Sequence, residues 1–176
     1  AYDLGPGDAV KIDTGLYTLQ SNVVVSTDDG GSSEKAVVFE GSPYGVTVDR
    51  GRTDAGDCSW LIAADHVTVR TARETNLVGV AQRWMIIRGG YYGVRVDHAD
   101  YCTLERLEIE SNTNDGIYVY YSNYLNCRNN LVRNNGDEGV YFSSSDSSLL
   151  ENNTVVCNAD NQVELGYSSS AATLKN

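Results

Sequence analysis

Phenylalanine and methionine are almost missing from this sequence, at two and one of 176 residues, while tyrosine (12) and glycine (17) are plentiful. That imbalance suits a chain with many tight β corners and an aromatic outer face that stays wet. No segment carries the 3.6-residue apolar period of a ten-residue helix, which argues against helical layers. There is no apolar run long enough to span a bilayer, so membrane insertion is not expected, and no secretory leader. Because the first residue is Ala1, a mature product or an excised module is expected, and the missing leader does not argue for the cytoplasm. Basic residues are scarce as well: 13 Lys and Arg against 24 Asp and Glu give a net charge of −11. Nucleic acid, which needs clustered cations, is excluded as a partner. Polyanionic glycans are disfavoured too, unless calcium or a local arginine patch intervenes. With two histidines, and with no Cys-x-x-Cys or matched His spacing, no metal site is expected.

What the sequence does have is a repeat. Gly93-Val94-Arg95-Val96 returns 23 residues later as Gly116-Ile117-Tyr118-Val119, then as Gly139-Val140-Tyr141-Phe142 and Gln162-Val163-Glu164-Leu165. Ile109, Val132 and Val155 keep the same interval, as do Asn112, Asn135 and Asn158. A period in the twenties means stacked units, each burying its apolar face against its neighbours. Within a unit apolar and polar residues alternate in short runs, so each holds about three short strands. The spaced leucines of a leucine-rich repeat are absent. The expected fold is therefore all-β: a parallel β-helix of about seven coils, one domain over residues 1–176, irregular over 1–92 and regular over 93–176.

The asparagine column is expected to form a ladder at a tight corner, where Asn tolerates left-handed backbone and its amide reaches the next coil. Asn129, Asn130, Asn152 and Asn153 suggest a second polar corner, and the sequon Asn152-Asn153-Thr154 reads as turn chemistry. Gly93, Gly116 and Gly139 mark positions where a side chain would be awkward. Cys102 and Cys127 lie on adjacent coils but two positions out of register, roughly 8 Å apart, too far for a disulfide. They share columns with Leu125 and with Leu104 and Leu150, as small buried fillers; Cys157 falls at a corner with Ser111 and Asn134.

In chain order, strands are expected at Ala9–Asp13, Thr14–Leu19, Val23–Val25, Ala36–Phe39 and Val46–Asp49, then Trp60–Ile62 and His66–Arg70. Polar inserts at Ser26–Lys35, Arg50–Asp57 and Thr71–Asn76 interrupt them, and a solenoid that displays its inserts on one side could wall a groove with them. Trp84-Met85-Ile86-Ile87 is aligned with Leu107-Glu108-Ile109-Glu110, and the period is expected to hold from there to the end. The last residues, Ala172–Asn176, show no evident cap, so strands near Glu164 and Leu174 offer open edges for end-to-end self-association.

Gly5-Pro6-Gly7-Asp8-Ala9-Val10-Lys11-Ile12-Asp13-Thr14-Gly15-Leu16-Tyr17, followed by Val37-Val38-Phe39-Glu40-Gly41 and Val46-Thr47-Val48-Asp49, resembles the first coil of right-handed parallel β-helix proteins, the pectate-lyase-like superfamily. With the 23-residue coils the resemblance spans nearly the whole chain. It implies right-handed winding and an extracellular or cell-surface setting, within a longer bacterial-type protein. It also brings in polysaccharide lyases, glycoside hydrolases and uronan epimerases, whose signatures are incomplete here. Of the galacturonase-like set only Asn112-Thr113-Asn114-Asp115 comes near; there is no Gly-His-Gly, and no Asp-Pro-His-Glu of the mannuronan epimerases. Lyases use Arg or Lys as base, often with calcium on the uronate carboxyl. With no Lys between Lys35 and Lys175, that base would be Arg.

The outward column Arg95, Tyr118, Tyr141 and Glu164 lies beside Asp97, Tyr120 and Ser143, with His98, Tyr121 and Tyr167 at the corner beyond. Seven tyrosines fall between residues 91 and 124. Asp97 and Glu164 are three coils apart, about 14 Å, beyond the roughly 5 Å or 6.5–9.5 Å of glycosidase pairs. Arg83 and Arg106 share a column and read as solvated arginines answering acids such as Glu105. His66 and His98 read as corner residues, and Arg95 with Asp97 as a solvated pair. Two functions follow. The first is a non-catalytic module that contacts polysaccharide, cell-surface glycan or a protein partner through Tyr118, Tyr120, Tyr121, Tyr141, Arg95 and Asp97, without a cofactor. The second is an enzyme on an acidic glycan, with Arg95 as base and Asp97 helping to hold calcium. An arginine close to two or more carboxylates on neighbouring coils would favour the second.

Overall fold

The computed structural model describes residues 3–73, 81–170 and 172–175; Ala1, Tyr2, Ala171, Asn176 and the Glu74–Asn76 part of the third insert lie outside them. Among the described residues there are nineteen strands and no helix. The first coil holds β1 (Ala9–Ile12), β2 (Gly15–Thr18) and β3 (Val23–Val25); the second β4 (Val37–Gly41), β5 (Val46–Asp49) and β6 (Cys58–Ile62). The third holds β7 (Val67–Thr71), β8 (Met85–Arg88) and β9 (Tyr92–Asp97); the fourth β10 (Thr103–Glu105), β11 (Leu107–Glu110) and β12 (Ile117–Tyr120). Then come β13 (Asn126–Arg128), β14 (Leu131–Arg133) and β15 (Val140–Ser143), followed by β16 (Leu149–Glu151), β17 (Thr154–Val156) and β18 (Val163–Leu165), and finally by β19 (Thr173–Lys175), which pairs with β16. Every third strand pairs in parallel. The result is three long sheets: A begins with β1 and has seven strands, B begins with β2 and C with β3, each with six. The expected right-handed parallel β-helix is the observed fold.

Alternation puts one side chain in two into the core. Val94, Ile117 and Val140 stack in one buried column, Val96, Val119 and Phe142 in the next, and Val69, Leu104, Cys127 and Leu150 in a third. Val163 is half-buried and Leu165 is 45% exposed, since no following strand covers them in sheet C. Phe39 and Trp60, ring centroids 5.6 Å apart and edge-on, pack against each other inside the second coil.

Corners repeat as strictly as strands. Left-handed backbone falls on Ser111, Asn134 and Cys157, the residues before the asparagines, so the expected left-handed conformation belongs one position earlier. The asparagines then serve as connectors. Asn112 donates through its backbone N–H and its amide to Asn135 Oδ1 (3.2 and 2.9 Å), and Asn135 does the same to Asn158 (3.1 and 2.9 Å). Gln162 accepts from Asn158 and closes the series. The second polar corner has the same plan: Asn129 and Asn152 are left-handed and Asn130 donates to Asn153. A Cβ on Gly116 would lie 2.6 Å from Val132 Cγ1 and 2.7 Å from Asn135 Nδ2, so this glycine is required by close approach rather than by φ.

Four register expectations change. Met85, not Trp84, pairs with Leu107, because the turn between Gly90 and Gly93 is one residue shorter than its equivalent between Asn112 and Gly116. Arg83 instead bridges to Tyr44, and Arg106 stands beside Thr71 as a buried residue rather than a solvated one. The last coil carries one extra residue: Leu150 pairs with Leu174, and Ser144 lies beside Ser168. Tyr167 is thereby pushed out of the His98 and Tyr121 column and is 82% exposed. Finally, the three inserts leave from three different corners, after β3, β5 and β7, so they do not wall a single groove.

A charge placed in these columns has no partner. Ile117→Asp is expected to abolish the cooperative thermal transition seen by circular dichroism, since an unpaired buried charge is among the costliest substitutions; a parent-like melt would contradict the register. All four cysteines are free, three of them buried, so denatured protein without reductant should titrate as four thiols.

Candidate functional site

Sheet C carries the tyrosines on its outer face, because Arg95, Tyr118, Tyr141 and Glu164 pair in one column and Asp97, Tyr120 and Ser143 in the next. Strands about 4.8 Å apart force aromatic rings in one column to lie face on face. Tyr118 lies between Tyr92 (4.7 Å, 12°) and Tyr141 (5.7 Å, 9°), with Arg95 reaching over its ring at 5.7 Å. Its planes are therefore covered, and only the ring edge and hydroxyl face solvent. Burial raises the hydroxyl pKa of Tyr118, Tyr141 and Tyr92, so these hydroxyls stay protonated and donate hydrogen bonds at neutral pH.

Arg95 donates to Asp97 Oδ2 at 2.5 Å, and Asp97 Oδ1 lies 2.6 Å from His98 Nδ1. Both oxygens of Asp97 are thus engaged. Next along the chain the corner between sheets C and A holds two aromatic stacks: His66, Tyr101 and Tyr124 (4.9 and 4.7 Å), and His98 with Tyr121 (5.1 Å). Left-handed backbone at all five residues, His66 and His98 included, turns them outward as corner positions. On the next coil the equivalent positions are Ser147 and Ser144, so each stack stops at a small side chain. Tyr121 and Tyr124 are about half exposed. They bring Tyr120 with them, edge-on to Tyr121 at 4.5 Å.

Two further constellations were not singled out from the sequence. On the outer face of sheet A the column Lys11, Glu40, Arg70, Glu105, Arg128, Glu151, Lys175 alternates in sign through all seven strands. Arg70 Nη2 lies 2.7 Å from Glu40 Oε2 and Arg128 Nη2 3.1 Å from Glu105 Oε2. Burial opposes ionisation of Glu40, but hydrogen bonds from Lys11 and Arg70 outweigh it and hold the carboxyl below its ordinary range. Arg106 joins from the adjoining corner, paired with Glu105 and bonded to Thr71 O through Nε and Nη2 (2.9 and 2.7 Å). Together with Arg73 these residues line a cleft of about 480 Å³, in which four arginines meet three glutamates.

The other constellation is acidic. Asp115, Asp137 and Glu138, at the corner between sheets B and C, bring carboxylate oxygens within 4.8 Å of one another. Burial and the neighbouring Glu138 push Asp115 up to about 8. Oxygen donors of this kind suit a hard cation such as calcium, whose binding would displace the Asp115 proton. Asp97, expected to help hold calcium, is not among them.

No curated protein matches this chain. Among solved structures, an alginate lyase from a Paenibacillus species superposes with a TM-score of 0.76 at 15% identity, over 96% of this chain and 58% of that one. A candidate glycosyl hydrolase from Parabacteroides merdae gives 0.62 at 9% identity, over 97% of this chain and 80% of that one. The chain thus spans less than two thirds of the lyase's length.

Asp115 makes stability depend on pH. Its folded pKa lies above the unfolded value near 3.8, so the native state keeps a proton that the unfolded chain releases. Its contribution is whole below about pH 4 and is lost as pH rises toward 8. Asp115→Asn should therefore melt higher than the parent at pH 8 and lose that advantage at pH 4; equal melting at both would show that Asp115 ionises normally.

Residues 67–176 match the family described as "Right handed beta helix region", and with three continuous parallel sheets behind that match, the chain belongs to the right-handed parallel β-helix family.

Proposed function

We propose that this chain is a non-catalytic β-helix module of an extracellular or cell-surface protein, and that it contacts polysaccharide through the tyrosine side of sheet C and the corner leading to sheet A. The observation that carries the reading is the termination of both corner stacks at serines. In the middle of a column an aromatic ring has neighbours on both faces, but Tyr121 and Tyr124 have a ring neighbour on one side and Ser144 or Ser147 on the other. A sugar presents a C–H face that rests on such a plane, and hydroxyls that bond with the exposed edges of Tyr120, Tyr118 and Tyr141. Arg95 and Asp97 serve here as a fixed ion pair at the margin of the contact. The similarity of the fold to an alginate lyase supports a glycan as the partner.

A second reading, an enzyme acting on an acidic glycan as lyase, epimerase or hydrolase, is favoured by one observation. Arg70 and Arg128 stand beside Glu40 and Glu105 on neighbouring coils of sheet A, an arginine near two carboxylates. Under that reading arginines neutralise a uronate carboxyl, and calcium would be held by Asp115, Asp137 and Glu138 at the other corner.

Titration with neutral oligosaccharides separates contact from architecture. Tyr121→Ala with Tyr124→Ala should lose at least tenfold in affinity, about 1.4 kcal/mol, with little change in melting. Tyr118→Ala, whose ring planes are covered and which offers a sugar only its hydroxyl edge, should lower the melting temperature and cost less than tenfold in affinity. If no oligosaccharide binds the parent, or if the double variant loses only stability, the binding reading fails. Release of unsaturated uronate from an acidic polymer, followed by ultraviolet absorbance, would move the conclusion to the second reading.

A further inference from the structure

Sheet B turns two columns outward, and their order along the axis suits a second copy of the chain. One column reads Thr18, Asp49, Arg88, Glu110, Arg133 and Val156; the other reads Leu16, Thr47, Ile86, Glu108, Leu131 and Thr154. Within the chain the charges already pair: Arg88 Nε lies 2.9 Å from Asp49 Oδ2, and Arg133 Nη2 lies 2.6 Å from Glu110 Oε2. Arg133 also donates to Glu108 Oε1 through Nε and Nη2 (3.0 and 2.7 Å), which draws that carboxylate toward the charged column. The other column is left largely apolar, with Leu16 64% exposed and Ile86 and Leu131 half-buried. Between Leu16, Tyr44, Thr47, Trp84 and Ile86 the face is hollowed by a cleft of about 250 Å³.

A two-fold axis parallel to the strands reverses the order of the coils and keeps each column opposite itself. Centred between the third and fourth coils, it sets Asp49 against Arg133 of the second copy and Arg88 against Glu110, each contact made twice. An even, alternating series is complementary to its own reverse. The seven-membered column of sheet A is a palindrome instead, so the same operation there would oppose Lys11 to Lys175, Arg70 to Arg128 and Glu40 to Glu151. On sheet B the apolar column follows the charged one: Leu131 of the second copy falls opposite Thr47, over the cleft between Leu16 and Ile86. We infer that the outer face of sheet B is the interface of a two-fold homodimer, with Leu131 seated in that cleft and the charged columns paired across copies. Such a contact is isologous and closes at two copies, whereas end-to-end stacking stays open. Six strands of three or four residues span roughly 13 by 29 Å, less than half of the about 800 Å² that each partner of a standard complex buries, so the dimer is a weak one. It does not rest on the glycan reading, which uses sheet C and its corner.

Sedimentation equilibrium over a concentration series at low salt should show the parent passing from monomer to dimer and no further, and added salt should weaken the dimer severalfold as the pairs between copies are screened. Arg88→Glu and Glu110→Arg, each alone, set like charges against each other and should weaken the dimer at least tenfold. An equimolar mixture of these two variants should associate again, because every altered charge then meets its opposite on the other copy. Leu131→Ser should also weaken the dimer at least tenfold with little change in melting, while Arg128→Gln, on sheet A, should associate as the parent does. A parent that stays monomeric at millimolar concentration would overturn the inference. So would association that continues past the dimer, which is the mark of end stacking, or charge variants that melt cooperatively yet fail to associate on mixing. Should either charge variant not fold, Leu131→Ser decides alone: association like that of the parent would overturn the interface equally.

Discussion

Every coil has to close on the same perimeter, so each residue spends its life about 4.8 Å above and below its own equivalents. That constraint reaches every feature of this structure. It makes Gly116 obligatory, because the amide of Asn135 and the methyl of Val132 already occupy the place of a Cβ. It makes asparagine useful after a left-handed corner residue, because one amide oxygen can accept both the backbone and side-chain N–H of the coil before it. The buried amides of Asn112 and Asn135 are thereby paired without water, as a dry interior demands.

The same constraint decides which surface residues are tolerated. Like charges stacked about 4.8 Å apart repel by about 3.5 kcal/mol at an effective dielectric of 20, less where water screens them. Sheets A and B respond by alternating sign. The corner of Asp115 and Glu138 breaks the pattern, with carboxylates on successive coils, and the fold accommodates them by keeping a proton at Asp115. A violation of a rule obeyed through all seven strands of sheet A, and by Asp49, Arg88, Glu110 and Arg133 on sheet B, marks the place where a cation or a proton has to supply what the neighbours do not.

The regular half of the chain was open to reading because nothing interrupts its period: Val94, Ile117 and Val140 are inward, and Cys102 and Cys127 fall in separate columns, as their spacing implies. The same period would have exposed Glu105, Arg128 and Glu151 as an alternating column, had charge been followed as apolar side chains were. Glu40 and Arg70 could not be read that way, since the inserts after β5 and β7 remove any fixed interval between them and Glu105. Single-residue changes did the rest. One residue fewer between Gly90 and Gly93 moves Met85 into the place expected for Trp84, and one residue more in the last coil moves Tyr167 out of its column. Period-two alternation cannot absorb a slip of one without turning a face over.

Aromatic residues on a solenoid surface obey the logic of the column too. Tyr118 sits on the same sheet face as Tyr120 and close to Tyr121, yet it is a different kind of residue, because coils on both sides supply rings to cover it. Such a ring contributes mainly to cross-strand stacking, worth under about 1 kcal/mol. A ring at the end of its stack has one plane left over. The number of tyrosines therefore says little about carbohydrate contact in this fold; what matters is where each column of rings stops. Here two of them stop within three residues of each other, at Tyr121 and Tyr124, on coils that continue with serine.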